Sequence, residues 1–390
     1  MRVLGITGLT LAGLTVAAAL ALNILPTVLD EQMNTVLSHT PYRIAEDALR
    51  LHDSLIVADL HSDSTLWERD LLARADRGHV DIPRMREGNA ALQIFTSVTR
   101  SPWGLNYEQN SNDSLDSVTL LSLAQGWPVA TWSNLTARAL YQADKLKAME
   151  LTAPAEFQMV YSAADLERLL QRRANTEPVV GGVLGTEGSH ALDGKLKNID
   201  VLFDAGFRMM SLQHFFDNKL GGSLHGESGA GLTVFGKQAV DRMLELGVMV
   251  DVSHSSPAVV VDVLDRTKKP LLVSHTGFQG HCKSERNISD ELMIAIAARG
   301  GLIGVGFWGA AVCDTSPESI VAAIAYGIEL VGEDHVALGS DFDGTVEVSF
   351  DVSELAVLTD EMLKAGFTEV QVRKVMGLNV VRFLGANLPR

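Results

Sequence analysis

Val248-Met249-Val250-Asp251-Val252-Ser253-His254 and Leu271-Leu272-Val273-Ser274-His275 are two short apolar runs with the same ending, Val-Ser-His. Between them Pro257–Arg266 carries a helical pattern. Strand, helix and second strand make a unit of parallel sheet, in which neighbouring strands lie about 4.8 Å apart. Two imidazoles at adjacent strand ends can share one metal ion. A lone histidine there would more simply be a satisfied core residue, and it is the duplicated ending that argues for a ligand pair.

The same design recurs on either side. Leu55–Leu60 runs into His61-Ser62-Asp63, Val179–Leu184 into Gly185-Thr186-Glu187, and Val336–Leu338 leads to Asp341. Leu92–Val98, Phe207–Gln213 and Leu302–Phe307 bring the strand candidates to eight. Helical patterns over Leu135–Glu150, Ala163–Arg173, Lys237–Leu246, Asp290–Arg299 and Pro317–Val331 separate most of them. One further pattern spans residues 30–54, and a pair, Val352–Ala365 and Thr368–Leu384, closes the chain. Ser289 and Asp290 are N-cap candidates, and Gly300-Gly301 is a stop. This alternation predicts an α/β fold, a single (β/α)8 TIM-like barrel over residues 30–390 rather than a doubly wound sheet. Polar side chains at the carboxyl ends of its strands would build the active site. The polar stretch Ser101–Ser117 follows the second strand and is expected on the catalytic rim.

The 390 residues are 46% hydrophobic, ample for a large core. A net charge of −16 without a Lys/Arg cluster excludes a nucleic-acid partner. Residues 1–29 stand apart. After Arg2 no charge occurs before Asp30, and Val3–Leu22 is almost wholly apolar or small. That length suits a membrane span of about 20 residues better than a signal core of about 7–15. The expectation is an anchor over residues 3–22 with the catalytic body outside the cytoplasm. The alternative is a periplasmic or secreted protein after cleavage near Ala19-Leu20-Ala21. Cys282 and Cys313 are too few for a disulfide framework and match no zinc motif, so their spacing leaves one bridge and two buried thiols equally open.

The imidazoles of His61, His254 and His275 and the carboxylates of Asp63 and Glu187 suit zinc. Five such groups are enough for two ions that share one carboxylate. Glycines flank the Thr186-Glu187 pair and let the backbone approach a crowded centre. Asp341, in Ser340-Asp341-Phe342-Asp343-Gly344, could accept and return a proton. Asp343 reads as a turn residue. His214, at the end of the fourth strand, could stabilise an oxyanion, and Arg286 could grip a carboxylate with two hydrogen bonds. Each has a bland reading beside it: a polar turn for His61 and Asp63, a solvated loop for Glu187, a helix cap for Asp341, structural core for His214, a surface ion pair for Arg286. His39, His52, His79, His190, His225, His281 and His335 read as structural or exposed. No phosphate loop, Gly-x-Ser-x-Gly elbow or nucleophilic cysteine context occurs, which disfavours covalent catalysis.

In chain order, Asp59-Leu60-His61-Ser62-Asp63, Val80–Gly88, Glu187-Gly188, Gln213-His214, Asp251-Val252-Ser253-His254, Val273-Ser274-His275, Arg286-Asn287 and Ser340–Gly344 resemble the membrane (renal) dipeptidase family. This is peptidase family M19, a branch of the metal-dependent amidohydrolases, and the resemblance covers roughly residues 45–385. It implies a dipeptidase with two Zn²⁺ bridged by Glu187 and a water or hydroxide. His61, Asp63 and Glu187 would hold one ion, and Glu187, His254 and His275 the other. His214 would contact the scissile carbonyl oxygen, Arg286 the substrate carboxylate, and Asp341 would handle protons. The partner is then a small dipeptide substrate, with a homodimer left open. The family also implies a Cys282–Cys313 disulfide. The chain departs from the family at Ser62, often Asn, at Asn89-Ala90-Ala91, commonly Gly-Gly, and over Ser101–Trp132, so rim specificity stays open. The competing readings are an amidohydrolase of N-acyl amino acids, lactams or lactones, and a non-catalytic zinc-binding surface protein.

Overall fold

Apolar runs buried on both faces form strands only where other backbone covers both of their edges, and a closed ring of parallel strands meets that need. The computed structural model describes residues 24–390. It contains β1 (Val57–Ser62), β2 (Ala90–Val98), β3 (Phe157–Met159), β4 (Val180–Glu187), β5 (Phe207–Ser211), β6 (Met249–Asp251), β7 (Leu272–Thr276), β8 (Leu302–Val305) and β9 (Val336–Leu338). All strand pairings are parallel, in the order β2-β1-β9-β8-β7-β6-β5-β4. A long β2–β4 seam, from Leu92 opposite Gly181 to Val98 opposite Glu187, shuts the ring. The eight-stranded barrel is therefore present, and helices flank it.

β3 is a ninth strand that sequence reading missed. It pairs only with Val180–Gly182, on the edge of β4 that β5 takes over from Leu184 onward. Three residues carry too little periodicity to register as a strand. The signal was on its partner: a Cβ on Gly182 would lie 2.4 Å from Phe157 Cζ, and one on Gly181 2.3 Å from Leu169 Cδ2. Glycine in a strand interior marks such close approach.

Both ends of the chain depart from the expected helices. The pattern over residues 30–54 becomes a helix over 24–33, an extended connector and a helix over Glu46–Asp53. Pro41 forces its predecessor out of helical conformation, and Val36 instead forms a parallel bridge with Val348. The expected helix Thr368–Leu384 is broken into Glu369–Arg373, a wide turn over Lys374–Leu378, and Asn379–Asn387. At the break, a Cβ on Gly377 would meet the Ile56 carbonyl oxygen at 1.8 Å. The anchor expected over residues 3–22 lies outside the described residues, and among the described residues no helix is long and apolar enough to cross a membrane.

Cys282 and Cys313 are bonded, with Cα atoms 5.6 Å apart. The bridge ties the loop after β7, which carries Arg286, to the short helix Gly309–Val312 after β8. Thiol counting on denatured, unreduced protein should find no free cysteine. A paired Cys282→Ser/Cys313→Ser change should lower unfolding stability by about 3–4 kcal/mol, the chain-entropy scale for a loop of this length. An unchanged denaturation midpoint would rule that contribution out.

Candidate metal centre

Strand ends converge in a closed ring, so side chains far apart in sequence meet at one mouth. β1, β4 and β7 present His61, Glu187 and His275 from within the strands. Asp63, His214, His254 and Asp341 follow within three residues of the ends of β1, β5, β6 and β9. All seven are buried.

Glu187 is the hub. Its Oε1 lies 3.1 Å from His254 Nε2, 3.3 Å from His275 Nε2 and 3.5 Å from His61 Nε2. Its Oε2 lies 3.3 Å from His214 Nε2. The Nε2 atoms of His254 and His275 are only 3.0 Å apart. Burial pushes the pKa of both rings well below the usual histidine value, with the Arg286 charge adding to the effect. Burial raises Glu187 well above the usual carboxylate range, and Asp63 and Asp341 push it further. Asp341 is pushed up to about 8, again by burial first, with His61 opposing and Asp63 adding. Among the histidines of the cluster His61 alone is raised: burial works against its charge, but Asp63, Asp341 and Asp251 outweigh burial.

Two neutral rings therefore crowd their Nε2 atoms together, and carboxylates beside them resist ionisation. A divalent cation reverses both costs, because it accepts the lone pairs and compensates the charge. The donor chemistry fits such an ion. Two groupings have ligand atoms within 4.8 Å of one another: His61, Glu187, His275 and Asp341, and Glu187, His214 and His254. All five expected ligands meet here, but the groupings differ from those expected: Asp341 and His275 join His61 and Glu187 where Asp63 was expected, and His214 stands beside His254 where His275 was expected. Asp63 stays adjacent, 3.6 Å from His61 Nε2, with its Oδ1 2.6 Å from Thr96 Oγ.

Buried polar groups behind the cluster fix its orientation. Ser274 Oγ donates to Asp251 Oδ2 at 2.8 Å, and it stands 3.0 Å from both His61 Nδ1 and His275 Nδ1. With its one proton committed to Asp251, Ser274 accepts from both rings. Their protons then sit on Nδ1 and the Nε2 lone pairs face the site. The serines of the repeated Val-Ser-His thus have a function that sequence reading left unassigned: Ser253 Oγ also donates to Asp251, at 2.6 Å. Thr96 gave no signal, being one β-branched residue within an apolar strand.

Asp59 holds the loop that carries Asp341, accepting from Ser340 N at 2.8 Å and Ser340 Oγ at 2.6 Å. Asp341, Asp343 and Thr345 all have φ 63°, in the left-handed region. Non-glycine residues rarely adopt it, and such strain concentrates at functional sites. Asp343 is more than the turn residue expected. Its buried carboxylate accepts from His79 N and Ser64 Oγ at 2.6 Å each and pairs with Arg69 Nη2 at 2.6 Å.

Arg286 is not a surface ion pair. It is buried, donates to the carbonyls of Ser253 and His275 at 3.0 Å each, and stacks 5.3 Å from the Trp308 ring centroid. His214 Nδ1 lies 3.1 Å from the Arg100 carbonyl oxygen and must donate to it, which leaves Nε2 an acceptor in the neutral ring. Burial lowers the His214 pKa to about 4. Glu187, His214, His254, Arg286 and Asp341 all face one cavity of about 930 Å³.

Ser274→Ala removes the acceptor that orients two rings and should weaken metal affinity about 10–100-fold, the usual scale for such supporting partners. Competition against a chelator, with circular dichroism as a control for folding, measures this. Unchanged affinity would remove Ser274 from the metal site.

The profile described as Membrane dipeptidase (Peptidase family M19) matches residues 45–387. An uncharacterized protein in the pqqA 5' region of Klebsiella pneumoniae is 30% identical over 254 residues, spanning 61% of this chain and 92% of that protein. The dipeptidase ataJ of Aspergillus terreus is 27% identical over 390 residues, covering 90% of this chain and 89% of its own. Among solved structures, the probable dipeptidase PvdM of Pseudomonas aeruginosa superposes with a TM-score of 0.71 at 20% identity, over 87% of this chain and 97% of that one, a likeness of fold. With a barrel whose buried His, Glu and Asp side chains meet at its mouth, and a profile match over most of its length, this chain belongs to the membrane dipeptidases, peptidase family M19.

Proposed function

We propose that the protein is a binuclear zinc dipeptidase. The convergence of His61, His254 and His275 on one oxygen of Glu187 carries this reading, because three imidazole nitrogens around a buried carboxylate form a ready donor set for a shared cation. His61, Asp63 and Glu187 would hold one Zn²⁺, and Glu187, His254 and His275 the other. When bound, the ions would polarise a carbonyl and acidify water.

The chain's own residues would do the rest. Arg286 keeps N–H groups beyond those bound to the Ser253 and His275 carbonyls, and these would take the substrate carboxylate. The contact restricts the site to chains that end one residue past the scissile bond. Asp341 would accept a proton from the attacking water and return it to the leaving amine. His214 would stand at the scissile carbonyl oxygen. Since its Nδ1 proton is committed to Arg100, Nε2 donates there only in the doubly protonated ring, a form that developing negative charge on the oxygen favours.

Metal analysis of folded, unstripped protein should return close to two zinc ions per chain. Chelation should abolish dipeptide hydrolysis, and added Zn²⁺ should restore it. One ion or none would contradict the binuclear assignment.

Asp341→Asn keeps size and shape but removes the proton acceptor. Turnover should fall about 10²-fold or more, with KM moving far less. Arg286→Ala should weaken binding of dipeptides and leave activity on dipeptide amides, which lack the carboxylate, little changed. Near-normal turnover in the first variant, or equal losses on acids and amides in the second, would sink the mechanism even with the metals in place.

A further inference from the structure

The cavity above the cluster, about 930 Å³, lies at the upper end of the range of about 300–1,000 Å³ that holds drug-sized ligands. A dipeptide of small residues would leave most of it unfilled. On the β1–β2 side the surplus space has an apolar wall, shared with Val118 and Leu121 of the segment after β2. Leu66 and Trp67, just past β1, and Val98, at the end of β2, form its base. Leu25, Leu29 and Met33 of the helical segment 24–33 form its upper part. In the ring order two strands separate the β1–β2 pair from the β6–β7 pair on either side, β9 and β8 one way and β4 and β5 the other, so the pairs face each other across the mouth. Arg286 is bonded to carbonyls on that far side, at Ser253 and His275.

The upper wall is fastened rather than loosely laid on. Asp30 is buried, and its Oδ2 pairs with Arg69 Nε and Arg77 Nε at 3.1 Å each. Arg69 in turn pairs with Asp343, two residues from Asp341. Asn34 Nδ2 donates to Asp30 Oδ1 at 2.8 Å, and Asn34 Oδ1 accepts from Thr345 N at 3.0 Å. This segment precedes the family match, which begins at residue 45. The family fold alone therefore does not supply it. Leu25 and Met33 keep 45% and 42% of their surface exposed, so the wall offers solvent-facing apolar area to a ligand.

We infer that the site selects dipeptides whose amino-terminal residue is large and apolar, and that segment 24–33 is the specificity wall for that side chain. The inference rests on the reading that Arg286 holds the substrate carboxylate. With the carboxyl end fixed on the β6–β7 side, the amino-terminal side chain reaches across to β1, β2 and the wall.

The test uses full-length, zinc-loaded protein with Phe-Gly, Gly-Phe and Ala-Gly. Phe-Gly should exceed both others in kcat/KM by about tenfold or more, the scale on which apolar pockets discriminate. Asp341→Asn protein, studied by calorimetry, should bind Phe-Gly more tightly than Gly-Phe in the same order. Leu25→Ser/Met33→Ser changes two exposed side chains, and it should narrow the Phe-Gly to Ala-Gly ratio about fivefold. Equal use of the three dipeptides, a preference for Gly-Phe, or a ratio unmoved by the double variant would overturn the inference and leave the dipeptidase reading standing. Hydrolysis of none of them would remove both.

Discussion

The β2–β4 pairing is the constraint on which the rest of this structure depends. Its last rung sets Val98 opposite Glu187, so the seam that closes the barrel ends on the carboxylate around which the metal cluster is arranged. A register slip of one residue would turn every side chain of β4 to the other face. Glu187 would then leave the mouth. Closure and chemistry are thus set by one set of backbone hydrogen bonds. The glycines at 181, 182 and 185 belong to the same arrangement, because Leu169, Phe157 and Met209 occupy the space their side chains would take.

Behind the cluster, charge is managed by a small number of buried carboxylates that do not face substrate. Asp251 collects the two serine hydroxyls and, through Ser274, sets the tautomer of His61 and His275. Asp59 holds Ser340, and Asp343 is held in place by Arg69, His79 and Ser64. Burial alone would raise the pKa of Asp343, yet these partners hold it below the usual carboxylate range. A buried charge so well partnered is costly to disturb from either side. It gives the strained Asp341 loop a rigid base.

Much of this was legible in the chain. His61, Glu187, His254 and His275 each end an apolar run, and strand-end position is a property that sequence patterning reports well. The barrel followed from the count and alternation of those runs. What escaped reading was short or non-local. β3 has three residues, and its evidence lay on the glycines of another strand. Thr96 acts through a hydrogen bond to Asp63 that only the pairing of β1 with β2 creates. Asp343 looked like a turn residue because its left-handed backbone is one, while its ion pair with Arg69 joins loops more than 270 positions apart. The helix assigned to residues 30–54 failed because Pro41 and the bridge to Val348 draw the middle of that stretch into extended backbone.

The closing seam also bears on how the molecule is assembled. His254 and His275 lie on neighbouring strands and can meet early, whereas His61 comes from the first strand of the ring and Glu187 from its seam. Contacts of such sequence separation form late, since the loops they close must lose their freedom first. A nascent or partly opened chain therefore offers an ion two imidazoles and little else. Tenacious retention of metal becomes a signature of a completed ring, and any ion that binds the finished site preferentially draws the folding equilibrium toward it.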